Sequence, residues 1–409
     1  MEPDTGTAGR TPSRLAIVSL VEVDFADPEF LADPYPRLAL LRESAPVSWH
    51  EPTGMWLAAS HAAVSVVLRD RRLGRIWRDR EPAERFEPFN LLHRNQMMEN
   101  EPPVHTRLRS LVARAFARGH VERLQSTIAT QAGELLEATG PEFDVLADFA
   151  EPLAVGVIAE LLGVPAADRA RLRPWSAAIV RMYEYRRTPA TEEAALTAAE
   201  EFTGYLRSLA AQRRTSPRDD LITHLVTTRD GTDRLTDDEL VASAILLLNA
   251  GHEASVNALG GGVVALCRHP GQLARLRADP SLIPAAVEEM IRYDPPLHLF
   301  ERTATEDVAL APGVSVTAGQ KVAALLGAAN RDPAVFADPD RFDVGRDPNP
   351  QVGFGAGIHF CLGAPLARIE LQAALRALLA HAPGLALVEQ PVLRPTFVLR
   401  GYTSVRVRR

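Results

Sequence analysis

The chain has 409 residues, 46% of them hydrophobic, enough for a large buried core in one domain or two. Its formal net charge is −7, although Lys321 is the only lysine among 45 basic residues; a general nucleic-acid binder shows a basic excess instead. Two cysteines, Cys267 and Cys361, allow at most one disulfide, which excludes a disulfide scaffold and suits a reducing cytoplasm. Met1 to Arg14 is polar, with Pro and Gly and no apolar core, so neither a signal peptide nor a membrane anchor is expected, and residues 1–20 read as a disordered tail.

Asp33 to Ser44 alternates at helical spacing, and Pro46–Trp49 and Met55–Ala58 flank Glu51-Pro52-Thr53-Gly54, which predicts a helix followed by a hairpin. A short helix is predicted over His61–Arg69. Leu73 to Pro103, rich in Pro, Arg and aromatics, reads as a long irregular loop, usually a functional one in a compact chain. Helix returns over Val104–Ala117, where His105 and Arg109 share a face, on sequence alone a solvated one. Helical patterns continue through His120–Thr139, Glu151–Leu162, Ala166–Tyr185 and Thr191–Arg213.

Thr236 to Arg268 is the longest helical pattern, opened by a capping box of Thr236 and Glu239. Asn249, His252, Glu253 and Asn257 interrupt its apolar run, which favours a core helix over a membrane span. At its centre, Ala250-Gly251-His252-Glu253-Ala254-Ser255 sets small residues beside an acid. Small residues let something bulky lie against the helix, and an acid there is costly to bury, which marks it as functional. Ile283–Tyr293 is a helix with Glu289 and Arg292 on one face. Strands are expected over Leu297–Ala304 and Val308–Leu310, and a terminal hairpin from Thr396–Leu399 and Ser404–Val407 about Gly401.

Phe354-Gly355-Ala356-Gly357-Ile358-His359-Phe360-Cys361-Leu362-Gly363 runs into a helix at Ala364-Pro365. Its glycines fit a loop that approaches a flat cofactor closely, with amides aimed at the sulfur. On these residues alone Cys361 is a buried hydrophobe, a nucleophile, one of a zinc pair with His359, or a thiolate ligand of haem iron, which would favour O–O cleavage.

The run Phe-Gly-x-Gly-x-His-x-Cys-x-Gly resembles the cysteine-ligand loop of the cytochrome P450 family. His105-x-x-x-Arg109, the acid-bearing central helix and Glu289-x-x-Arg292 resemble three further motifs of that family, in the same order, from about Asp33 to the C-terminus. The resemblance implies a mainly α fold with small β-sheets, one large haem domain over 21–409, haem b, and Cys361 as the iron's ligand among Phe354, Gly355 and Gly363. It assigns His105, Arg109, Arg302 and His359 to the haem propionates, and Gly251, Glu253, Ala254 and Ser255 to an oxygen-binding groove. Glu289, Arg292 and Arg341 would form a buried bracing triad. Phe89, Leu92, Met182, Leu247, Leu297, Leu299 and Phe397 would line the substrate pocket.

One departure is Ala254, where the family usually has threonine. Ser255 lies about 100° further round the helix, badly placed unless Gly251 bends it, which favours Glu253 with a substrate-held water as the proton source. The resemblance further implies a monooxygenase using O2, with electrons from NAD(P)H through a ferredoxin reductase and a ferredoxin. The ferredoxin would dock near Cys361 against Arg107, Arg114 and Arg368. The substrate would be a hydrophobic small molecule, of polyketide type in secondary metabolism, free or carrier-bound. A cytoplasmic monomer without membrane or nucleic-acid contacts is expected. The rival readings are a peroxide-using or phenol-coupling enzyme and a non-catalytic haem-thiolate sensor, against which Glu253 argues because a sensor needs no proton route.

Overall fold

Thr236 caps the helix Asp237–Arg268, accepting from the Glu239 amide while the Glu239 carboxylate accepts from the Thr236 amide. This central helix is buried on nearly all sides, and around it pack the helices Ala83–Arg94, Glu151–Leu162, Pro189–Thr215, Ile283–Tyr293 and Ala364–His381. The computed structural model describes residues 23–116, 120–183 and 187–409, so the tail expected over 1–20 and the helix end at Tyr185 lie outside it. Among the described residues no helix is long and apolar enough to cross a membrane.

Small sheets flank this helical core. The largest has five strands in the order Val47–His50, Met55–Ala58, Lys321–Leu325, Leu299–Ala304, Leu73–Gly74. The expected hairpin opens it, with Val47 opposite Ala58 and His50 opposite Met55. Lys321–Leu325 joins Met55–Ala58 in parallel, and Leu299–Ala304 joins antiparallel with Arg302 opposite Val322, which fixes where Arg302 leaves the sheet.

Three expectations are corrected. Leu73–Pro103 is not one irregular loop: Ala83–Arg94 is helical despite Pro88, because Phe86, Phe89, Leu92 and His93 recur at helical spacing and are buried together. The terminal hairpin forms differently. Tyr402–Ser404 pairs with Val392–Leu393, and Arg406–Arg408 leaves to pair with Glu142–Asp144 and Ala386–Leu387. Thr396–Leu399 is the bend between the paired strands, where Phe397 stacks on Phe25 at 4.9 Å and packs on Phe30 at 5.1 Å.

The third correction concerns the buried triad. Glu289 and Arg292 are wholly buried, with Arg292 Nε 2.6 Å from Glu289 Oε2 and Nη2 2.8 Å from Oε1. The second cation on Glu289 is Arg346, at 3.3 and 3.1 Å from the two oxygens. The Arg341 side chain is 58% exposed and pairs with Asp343, so only its carbonyl takes part, accepting from Arg292 and Arg346. Arg346 can enter because carbonyls of Ala337, Asp338 and Arg341 satisfy its remaining donors.

Candidate active site around Cys361

Gly355 and Gly357 take φ of +70° and +69°, the left-handed region open to glycine. A Cβ on Gly357 would also strike the backbone carbonyl of Leu68. The loop these residues shape returns on itself, with the Cys361 amide donating to the Phe354 carbonyl at 3.0 Å. Gly363 then caps the cysteine helix, Ala364–His381, with proline in its first turn. Burial pushes the Cys361 thiol up; the Gly363 amide, Arg109, the Ala364 amide and Arg368 all pull the other way, toward thiolate. Arg368 lies over the Phe354 ring at 4.5 Å and is held by Glu288 at 2.6 Å.

The four residues expected to bind carboxylates converge beside this loop. Arg109 reaches it directly, its Nη2 donating to the Phe360 carbonyl at 2.6 Å. The rings of His105 and His359 are 4.5 Å apart. His359 bonds Glu101 through Nε2 at 2.7 Å, whereas buried His105 Nε2 has no partner among the described residues. Burial, then His359 and Arg109, hold His105 down to about 4. Arg302 is 3% exposed with no carboxylate partner among the described residues, and burial followed by Arg75 holds it down to about 9. Buried cations and donors without an anion are costly, so the cluster lacks counter-charge that two carboxylates would supply. Haem propionates have that chemistry. Zinc does not fit: among the described residues no group of three His, Cys, Asp or Glu could hold a metal ion, whereas haem needs a single protein thiolate.

The central helix runs unbroken through Gly251. Ala250 is exposed and Ala254 half-buried in a helix otherwise mostly enclosed, so the small residues leave one face open. Glu253 turns from that face to Arg394, Oε2 to Nη1 at 3.2 Å. Ser255, buried, lies near Glu370 on the cysteine helix. Burial pushes Glu370 up to about 8, with the nearby Ser255 opposing. Sequence reasoning missed Glu370, although Leu366, Glu370 and Ala374 fall on one buried helical stripe.

A cavity of about 1560 Å³ runs along the outer side of the central helix and touches none of Cys361, His105, Arg109, Arg302 or His359. Of the seven expected pocket residues only Phe397 lines it. Phe89, Leu92, Met182 and Leu247 are packed in the helical core, Leu299 in a small cluster with Phe397, and Leu297 bridges to Leu399. The arginines expected to attract a ferredoxin are each engaged internally, Arg107 with Asp233 and Glu239, Arg114 with Asp230, and Arg368 with Glu288.

A family model described as cytochrome P450 matches residues 186–381. The chain is 41% identical over 392 residues to the cytochrome P450 monooxygenase PikC of Streptomyces venezuelae, spanning 93% of this chain and 92% of the relative. It is 39% identical over 402 residues to 6-deoxyerythronolide B hydroxylase of Saccharopolyspora erythraea, spanning 94% and 98%. Among solved structures it is similar to P450BioI in complex with an acyl carrier protein ligated with hexadec-9Z-enoic acid, at TM-score 0.88 and 35% identity, spanning 93% of this chain and 98% of that one. Identity of this extent to named monooxygenases, over a thiolate loop with a cationic cluster that fits haem, shows that the chain belongs to the cytochrome P450 family and is a haem-thiolate monooxygenase using O2.

Proposed function

We propose that the enzyme oxidises a hydrophobic, polyketide-type natural product in secondary metabolism, in the cytoplasm, with electrons from NAD(P)H passing through a ferredoxin reductase and a ferredoxin. The likeness to PikC and to 6-deoxyerythronolide B hydroxylase supports the substrate class. P450BioI is solved with an acyl group tethered to a carrier protein, which favours a carrier-bound form of the substrate as a second reading.

In this reading Cys361 Sγ holds the haem iron, with the Gly363 and Ala364 amides, Arg109 and Arg368 stabilising its charge. His105, Arg109, Arg302 and His359 bind the propionates. Bound haem supplies the activation of oxygen. Ala250 and Ala254 leave room for it on the central helix, and Phe354 and Leu362, packed against the core, limit water at the sulfur. Protons come from two acids. Glu253, paired with Arg394, exchanges with the outer cavity. Glu370, pushed up to about 8 by burial, is protonated at neutral pH and lies near Ser255, one residue from Ala254. Glu289, Arg292 and Arg346 brace the core beneath.

The observation that carries the reading is the buried pair beside the Cys361 loop: His105, whose Nε2 has no partner, and Arg302, which has no carboxylate partner, among the described residues. Reconstitution with ferredoxin, reductase and NAD(P)H, using a macrolactone and its carrier-bound acyl precursor, tests it. Oxygenation that requires the electron chain supports it; turnover on hydrogen peroxide alone, or none with either substrate form, rejects it.

A further inference from the structure

Glu288, one residue before Glu289, reaches the cysteine helix instead of the buried site. Its two oxygens grip Arg368, Oε1 2.6 Å from Nε and Oε2 3.1 Å from Nη2, the bidentate form that fixes a guanidinium in one orientation. Gln351 Nε2 donates to the same carboxylate at 3.0 Å, and Gln351 Oε1 accepts from the Gly353 amide at 2.5 Å, which ties the grip to the residue before Phe354. The helix that carries Glu288, Ile283–Tyr293, is itself anchored by Glu289 with Arg292 and Arg346, so the carboxylate stands on a rigid base.

Arg368 is thereby laid over the Phe354 ring at 4.5 Å, and the Phe354 carbonyl accepts from the Cys361 amide at 3.0 Å. Of the two charges it is the cation that lies on the cysteine loop. Burial pushes the Cys361 thiol up and Arg368 is among the groups that oppose it, so the guanidinium's charge is felt at the sulfur. The Arg368 side chain is 34% exposed, so burial alone does not keep it there. A guanidinium on a flexible stem turns to water when it loses its carboxylate. Groups around a metal's ligand tune the metal, and a positive charge held beside the ligand stabilises the reduced, more electron-rich form.

We infer that Glu288 is a positioning residue for electron uptake: by holding Arg368 over Phe354 on the cysteine loop, it raises the reduction potential of the bound haem. The inference rests on Cys361 as the iron's ligand, and its sign separates it from a plain charge effect. A carboxylate acting only through its own negative charge lowers the potential, so its removal would raise it. Removal of a carboxylate that positions a nearer cation lowers the potential, because the cation leaves with it.

The test measures midpoint potentials of the substrate-free holoenzyme by spectroelectrochemistry, with the red-shifted Soret band of the reduced carbon monoxide complex as the control for ligation. Arg368→Met should lower the equilibrium constant for one-electron reduction about tenfold, about 59 mV. Glu288→Ala should lower it at least about threefold, and the Glu288→Ala, Arg368→Met double variant should match Arg368→Met alone, since a released guanidinium has no further effect to lose. Should Glu288→Ala fail to fold, Glu288→Met, similar in size and without an acceptor, carries the same expectation. A raised or unchanged potential in the Glu288 variant, additive lowering in the double variant, or an unchanged potential in Arg368→Met each overturns the inference while the band stays in place. A wrong ligand assignment shows differently, as a band retained in Cys361→Ala, and overturns both.

Discussion

Arg346 Nε lies 3.1 Å from Glu289 Oε2, in a site where that carboxylate also holds Arg292 and is entirely withdrawn from solvent. Removing one partner from such a site strands a buried charge, whereas replacing the whole group with apolar side chains need not be costly. Arg292→Ala should therefore destabilise the fold by about 3 to 5 kcal/mol. Arg346→Ala should cost less, because Arg292 remains on the carboxylate. Arg341→Ala should stay within about 0.5 kcal/mol, as its side chain is exposed. Urea midpoints of the three variants check the order, and an Arg341→Ala loss equal to that of Arg346→Ala contradicts it.

Cys361→Ala should abolish the red-shifted Soret band of the reduced carbon monoxide complex together with oxygenation. Cys267→Ala should leave the band intact: that thiol is pushed up to about 11 by burial and sits on the far end of the central helix. A Cys361→Ala protein that keeps the band rules out the ligand assignment.

How far the sequence reaches is visible in these two sites. The Cys361 loop is contiguous, so spacing, glycines and the proline that opens its helix are readable in one line, and the helices bounded by clear caps, such as Asp237–Arg268, fall where periodicity places them. Glu289 and Arg292 are three apart and share a helix face, but their second cation comes from 57 residues beyond Glu289. Choosing Arg346 over Arg341 depends on which backbone carbonyls surround each guanidinium, and no local pattern encodes that. Glu370 and Ser255 meet only because two helices cross. Pro88 and the aromatics around it hid a helix, since proline carries more weight as a breaker in a one-dimensional reading than one missing amide does in a packed core.

Arg302→Ala and His105→Ala should each weaken haem retention, since a hydrogen bond to a charged group contributes roughly 1.5 to 3 kcal/mol. The apoproteins should behave oppositely: without propionates Arg302 has no carboxylate partner among the described residues, so Arg302→Met, which removes a buried cation, should raise the melting temperature of the apoprotein while lowering that of the holoprotein. Parallel melting curves with and without haem check it. Haem binding as tight as the parent in both alanine variants shows that these residues do not hold the propionates.

Glu370 ties stability to pH with a definite sign. Its folded value, about 8, lies above the ordinary carboxyl value of 4.5, so between these limits the native state binds more protons than the unfolded chain. Stability from this group is therefore full below about pH 4.5 and falls as pH rises toward 8, by at most about 1.4 kcal/mol per pH unit. Glu370→Gln should flatten that slope. An unchanged slope means that burial does not keep the carboxyl protonated.

The same carboxyl decides how protons reach oxygen when position 254 lacks a hydroxyl. O–O cleavage requires protons at the distal oxygen, and a positioned donor contributes about 10² to 10⁴ in rate. Glu253 lines the outer cavity, 3.2 Å from Arg394, where it can exchange protons with solvent. Glu370 is protonated at neutral pH and buried, near Ser255 and the open face at Ala254. If the two act in series, Glu253→Gln and Glu370→Gln should both slow turnover and divert oxygen to peroxide. Ser255→Ala should uncouple nearly as strongly as Glu370→Gln, and the Ser255→Ala, Glu370→Gln double variant should be no worse than either alone, because the two form one relay. The solvent isotope effect should rise in Glu370→Gln, as proton transfer becomes limiting. A Ser255→Ala enzyme that couples as well as the parent, beside a Glu253→Gln enzyme that does not, would return the donor's role to Glu253 and a water held by the substrate.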